Sequence, residues 1–321
     1  MSSAAMVTML AILVPVTLIA SLTLSPSLSS SSSFADLNQT EREMVEYKNP
    51  IVGILANELE TKINKSGVIL EITSKLPEVN SAPFASSISP ELHGIPQDVD
   101  MPKRKVAQSI LNTDKDFQVI FFLMPNGDVY LIEPYGQQQN LTGNNFAFRD
   151  YYKGAVGTGN TYLSNVIISA ALGRPQANIA VPMYSENNRT LVGLWAGGMN
   201  LTVFSESLQS LNLTNNNDGE RIVIVDRQGQ KIADSSSQSL LSNVTFNESF
   251  ANLQSFRNSI SGDSGTLMET INGTTTAISY HPVEVFSNRW AVLYIQPYDS
   301  SMIVNRNLLQ QNDLGSQNQQ E

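Results

Sequence analysis

One arrangement occurs twice in this chain, and it leaves few folds open. Two strand-like runs meet at a glycine turn, a helix-compatible stretch follows, and three more strand-like runs close the unit. In the first copy FQVIFFLM (117–124) and DVYLIEP (128–134) flank Pro125-Asn126-Gly127. Asn-Gly between two apolar runs is a strong hairpin signal, because both residues tolerate positive φ. A short helix is expected over 151–156, strands over 161–168, 176–183 and 190–201, and a departing helix over 202–211. In the second copy RIVIVD (221–226) and QKIADS (230–235) meet around Gln228-Gly229. A helix over 246–260 and strands over 265–271, 274–280 and 289–296 follow, with Asn272-Gly273 turning between the first two. The pattern predicts an α+β fold with two modules, each a five-stranded antiparallel sheet with flanking helices. Trp195 and Trp290 fall in strands and are expected in the core.

Upstream the period is helical. Leu37, Met44, Tyr47, Ile51, Leu55, Leu59 and Ile63 recur at steps of three, four or seven, which predicts a long helix over 36–76. Pro50 is expected to kink it near Asn49. Five prolines make 77–102 loop-like, and a second helix is expected over 103–112. The Asn-rich 212–220 is the natural boundary between the modules. The chain thus divides into an N-terminal segment with a Ser-rich linker (1–35), the long helix and first module (36–212), the second module (213–300) and a polar tail (301–321).

Residues 6–24, MVTMLAILVPVTLIASLTL, carry no charge, and the first charged side chain is Asp36. The length suits a transmembrane helix or a secretory signal. The missing basic flank favours a retained anchor, and small residues around Ser33-Phe34-Ala35 keep cleavage open. Either way the bulk of the chain is expected outside the cytoplasm: single-pass and extracellular, or secreted if cleaved. Sequons at Asn38, Asn64, Asn140, Asn188, Asn200, Asn212, Asn243, Asn247 and Asn272 make it a glycosylation candidate. No second apolar span follows, which leaves no room for a cytoplasmic output domain. A separate receptor or kinase chain is then the expected partner.

Composition removes several functions. A net charge of −10 argues against coating nucleic acid. There is no cysteine, so disulfides, thiolate metal sites and cysteine nucleophiles are excluded. His93 and His281 lie far apart, without the spacing of a zinc site, and no cofactor is implied. Asp226, Asp234 and Glu269 come with no nucleophile–base spacing, so the chain is not expected to be an enzyme. Asp226 reads more simply as a turn residue of the second hairpin.

The run FRDYYKGAVGTGNTYLSNVIISAALGRPQANIAVPMYSENNRTLVGLWAGGMNL (148–201) carries a recognisable order of motifs. These are R-x-aromatic-aromatic, a G-x-x-Y turn into a strand, G-[KR]-P, a strand ending P-x-Y, and LVG-x-x-x-G. In this order they resemble the membrane-distal module of double Cache domains, the extracellular PAS-like sensory domains of receptors. Nearly everything after residue 36 fits that resemblance.

The resemblance implies a pocket in the first module, between its sheet and the loops around the short helix, that takes a small-molecule ligand. In an amino-acid-binding subfamily the residues meeting the ligand's carboxylate and body match Arg149, Tyr151 and Tyr152, with Tyr151 where tryptophan is usual. The residues that hold the ammonium fall at Ile167, Ser169 and Gly198, and a further tyrosine falls at Asn144; none of the four is kept. A buried ammonium without carboxylate partners is costly, so a typical α-amino acid is disfavoured. Arg149 can grip a carboxylate or phosphate through two parallel hydrogen bonds. Tyr151, Tyr152 and Tyr130 offer flat faces with a hydroxyl at the rim. Ile167 and Gly198 are expected to make the remaining wall apolar and roomy, with Ser169 adding one small polar group. A short organic acid or an uncharged metabolite is the expected ligand. In the plainer alternative Arg149 pairs with Asp150 or another acid and caps the fold, and one of Tyr151 and Tyr152 packs in the core. Two functions follow: a membrane-anchored sensory or solute-binding module, or an envelope structural protein using the Cache fold as a scaffold. The long helix would support a homodimer in either.

Overall fold

The computed structural model describes residues 48–185, 190–211, 219–236 and 248–298. The expected membrane segment (6–24), the start of the long helix (36–47), most of the 212–220 boundary and the tail lie outside them. So do the sequons at Asn38, Asn188, Asn212, Asn243 and Asn247. Among the described helices none is long and apolar enough to cross a membrane.

Helix α1 (Asn49–Ser74) is about 39 Å long at 1.5 Å per residue. Pro50 stands in its first turn, where a missing N–H costs nothing and the fixed φ suits the helix. The proline opens the described helix. Val52, Leu55, Ala56, Leu59, Ile63 and Leu70 form its buried face. That face lies against strands of both sheets, and one apolar core continues beneath it from the first sheet to the second. Contact is closest at Gly67, where an added Cβ would sit 2.1 Å from the Phe286 ring. The proline-rich loop follows, then α2 (Met101–Thr113).

The first sheet comprises β1 (Phe117–Leu123), β2 (Val129–Glu133), β3 (Tyr162–Leu163), β6 (Asn178–Tyr184) and β7 (Leu191–Met199), in the order β2-β1-β7-β6-β3. Between its strands lie α3 (Tyr135–Gln139) and α4 (Asp150–Thr158), and α5 (Leu201–Ser210) leaves it. The second sheet comprises β8 (Arg221–Val225), β9 (Lys231–Asp234), β10 (Gly265–Ile271), β11 (Thr274–Val285) and β12 (Asn288–Pro297), with α6 (Gln254–Ser261) before β10. Its order is β10-β11-β12-β8-β9. Counted along each module, both sheets run second, first, fifth, fourth, third. All pairings are antiparallel. These are two PAS-like modules of an α+β protein.

The repeat extends to single atoms. Gly127 and Gly229 close the two hairpins at φ +87° and +77°, where an added Cβ would come within 2.5 Å of Ala147 and Ala251 respectively. Each glycine carbonyl accepts a hydrogen bond from a phenylalanine N–H, Phe146 at 2.8 Å and Phe250 at 2.9 Å. Trp195 and Trp290 are fully buried, as expected.

The strand expected over 161–168 is two pieces. After β3 the chain leaves the sheet, and β4 (Ile167–Ile168) pairs with β5 (Pro175–Gln176) in a separate ribbon. Side chains take the backbone groups in between. Asn165 N–H donates to Asp150 Oδ2 (2.7 Å), and Val166 N–H to Asp226 Oδ2 (2.8 Å). Such bonds compete with a strand ladder and redirect the chain.

Candidate ligand-binding site

The first sheet is buried on both faces. Ile120, Phe122 and Tyr130 pack into the core shared with α1 and α2, while Val119, Phe121, Leu123 and Val129 face the other way, under α4 and the loop before it. On that second face lies a cavity of about 40 Å³. Its wall includes those four residues, Arg149 and Tyr151 from the start of α4, Ile167, Ser169, Ala170 and Ala171 around β4, and Gln137, Gln176 and Asn178. None of the described residues lining it is acidic.

Arg149 stands at the N-cap of α4 in extended conformation. Its guanidinium lies over the rings of Phe148 (5.1 Å) and Phe146 (5.9 Å). Among the described residues it has no ion-pair partner. The expected alternative, pairing with Asp150, is not formed. Asp150 instead accepts hydrogen bonds from the Tyr162 hydroxyl (3.1 Å) and Asn165 N–H. Tyr151 is 5% exposed and meets Phe121 edge-on at 5.5 Å. Burial pushes its hydroxyl pKa well above the ordinary value, which the Arg149 charge offsets only in part. It therefore stays protonated and able to donate.

The second module lacks this cation. Arg149 N–H bonds Phe146 O, and Arg149 O accepts from Lys153 N–H; in the second module Leu253 makes the same two bonds, with Phe250 and Arg257. Leucine thus occupies the equivalent N-cap, and the charged site belongs to the first module.

Residues 37–302 match the profile of the Cache domain family dCache_1. The chain belongs to the double Cache family. Domains of this family are extracellular ligand-sensing domains of membrane receptors. Similar solved structures include the ligand-binding domain of the Pseudomonas fluorescens chemoreceptor CtaA in complex with L-isoleucine. It has 17% identity and a TM-score of 0.55, covering 82% of this chain and 96% of that one. The Pseudomonas aeruginosa amino-acid chemoreceptor PctB with L-arginine shares 15% identity at a TM-score of 0.56, covering 81% and 97%. PctC of the same organism with GABA shares 17% at 0.52, covering 78% and 98%. A search of curated proteins gave no significant match.

In this double Cache protein four of the seven sequence-predicted site residues converge on the cavity: Arg149, Tyr151, Ile167 and Ser169. Three do not. Tyr130 faces the start of α2, with its hydroxyl donating to Asp100 Oδ2 (2.8 Å) and the Lys103 ammonium 4.7 Å from its ring centre. Tyr152 lies outside the cavity wall and donates to Pro125 O (2.6 Å), tying α4 to the hairpin turn. Gly198 leaves no room, because an added Cβ would meet Gln176 Nε2 at 2.2 Å. The expected roomy apolar wall is therefore small and partly amide-lined. Asn144, where the amino-acid-binding subfamily has a tyrosine, contacts the His93 ring through its side chain.

Sequence reasoning missed Gln137, Gln176 and Asn178. The usable signal was Asn178 at the head of the apolar strand NIAVPMY, since a polar side chain buried there must find partners. The acids considered for catalysis all have structural work. Asp234 pairs with Arg221 and Lys231. Glu269 accepts from the first N–H groups of α6, at Gln254 and Ser255. Asp226 is the turn residue expected, accepting from Gln228 and Gln230 N–H (both 2.9 Å).

Proposed function

We propose that this chain is a membrane-anchored extracellular sensory protein whose first-module cavity takes a small organic acid or a small uncharged metabolite. One observation carries the reading: Arg149 brings a positive charge to a cavity wall, and among the described residues it has no acidic partner and the wall contains no acid. A carboxylate would supply the missing counter-charge through charge-assisted hydrogen bonds. An ammonium would enter uncompensated. The relatives solved with L-isoleucine, L-arginine and GABA hold ligands that carry a carboxylate. Only that half of such ligands meets an opposite charge among the described residues of the wall. Size points the same way: an apolar cavity of about 150 Å³ takes benzene, so one of about 40 Å³ suits a few heavy atoms.

The direct test is a thermal-shift screen of the full chain in detergent micelles against short carboxylates, purines and polyamines. A carboxylate at a hundredfold excess over its Kd should stabilise the protein by about 2.7 kcal/mol. Stabilisation by polyamines, or by nothing, would sink the reading.

A homodimer through α1 is part of the proposal. Ile54, Val68 and Ile72 are 66%, 46% and 61% exposed on this helix, at spacings that put them along one stripe. Sedimentation velocity of the full chain should show a dimer that Ile72→Glu weakens about tenfold. A monomer at all concentrations would leave the stripe without this role. Relay to a receptor or kinase chain is the accompanying expectation, checked by co-purification from the native membrane.

A further inference from the structure

We infer that the first-module cavity selects short hydroxycarboxylates: acids of two to four carbons with a hydroxyl beside the carboxylate. This rests on the anion-binding reading of the same cavity and narrows it.

A relay of side-chain amides with a fixed direction carries the inference. A guanidinium can donate but never accept. Arg174 donates to Gln118 Oε1, which leaves Gln118 Nε2 as the donor to Gln176 Oε1 (3.1 Å) and to the Met199 carbonyl (3.2 Å). A backbone carbonyl only accepts, so this second anchor fixes the same orientation independently. Gln176 Nε2 must then donate to Asn178 Oδ1 (2.6 Å). The relay ends on Asn178 Nδ2, a buried N–H donor with no partner on a side chain that lines the cavity. Asn178 is 1% exposed.

A second amide is oriented in the same way but presents the opposite polarity. Gln137 Nε2 donates to Gln118 O (2.9 Å), so Gln137 Oε1 remains as a buried acceptor without a partner, again on a lining side chain. The cavity therefore offers the Arg149 cation, a neutral donor fixed at Asn178 and a neutral acceptor fixed at Gln137. A carboxylate satisfies the two donors. The acceptor calls for a donor on the ligand, either an ammonium or a hydroxyl. With no acid in the wall an ammonium is disfavoured, and a hydroxyl satisfies Gln137 without adding charge. An acid without the hydroxyl leaves Gln137 Oε1 buried and unpaired, which costs binding.

The test is calorimetric titration of the full chain in detergent micelles with two ligand pairs, glycolate against acetate and L-lactate against propionate. Members of each pair differ by one hydroxyl. Glycine and glycolamide complete the panel. At least one hydroxy acid should bind about tenfold more tightly than its partner. Glycine and glycolamide should both bind at least about tenfold more weakly than glycolate. Gln137→Leu should abolish the difference within each pair, and a difference that survives this substitution would overturn the role given to Gln137 Oε1. Equal affinities within both pairs would overturn the hydroxycarboxylate class while the anion reading stands. Tightest binding by glycolamide, or binding by none of the panel, would overturn both. If Gln137→Leu does not fold, the wild-type panel still decides.

Discussion

Arg104→Ala is expected to lower the melting temperature by roughly 10 °C, from a loss of about 3–5 kcal/mol. Arg104 is on α2, 1% exposed. Its guanidinium donates to Glu133 Oε1 (2.6 Å), Ile95 O (3.1 Å), Pro96 O (3.0 Å) and Val99 O (3.1 Å). One side chain thus pins the end of the proline-rich loop to the end of β2. Removing it leaves the Glu133 carboxylate, 3% exposed, with Gln108 Nε2 at 3.1 Å as its one side-chain donor among the described residues. An unpaired buried charge of that kind is the costly case. Arg104→Lys should recover little, because an ammonium cannot reproduce the fork. Thermal and urea unfolding of the full chain measure the effect. A loss below about 1 kcal/mol would show that Glu133 is relieved by water or by a proton.

Arg149→Ala should do the reverse: leave stability within about 1 kcal/mol and weaken short-carboxylate binding about 100-fold. The two arginines differ in how their donors are used. Those of Arg104 meet five acceptors inside the protein, the Ile132 carbonyl (3.4 Å) being the fifth. Arg149 rests on two phenylalanine rings with no carboxylate in reach among the described residues. Calorimetry against the best carboxylate, beside a melting curve of the same variant, separates the outcomes. Unchanged affinity would remove Arg149 from the site. A large loss of stability with unchanged affinity would assign it to the fold.

Much of the architecture was legible because it depends on local signals. Asn-Gly and Gln-Gly turns between apolar runs located both hairpins, and the apolar runs themselves located the long strands. The ribbon of β4 and β5 was not legible, because the residues that redirect the chain there, Asp150 and Asp226, are distant in sequence. The site was half legible. A helix start with an arginine and an adjacent tyrosine is a local pattern, so Arg149 and Tyr151 were found. Tyr130 was misplaced by one position. Neighbouring strand residues face opposite ways, and Val129 is the one that meets the cavity. Gly198 was misread because an absent side chain reads as space, whereas a side chain from another strand occupies it. The amides of Gln137, Gln176 and Asn178 acquire direction only through contacts that no short stretch encodes.

Val166 N–H bonds Asp226 Oδ2, and the neighbouring Leu163 O accepts from Asn288 Nδ2 at 2.8 Å. Asp226 and Asn288 both belong to the second module, yet the segment they hold leads directly into Ile167 and the cavity wall. A chimaera that grafts only the first module onto another protein would therefore carry the cavity with one panel unhinged. For such grafts the transferable part is larger than the sheet that backs the cavity. It includes the second-module hairpin turn at Asp226 and the β11–β12 turn at Asn288.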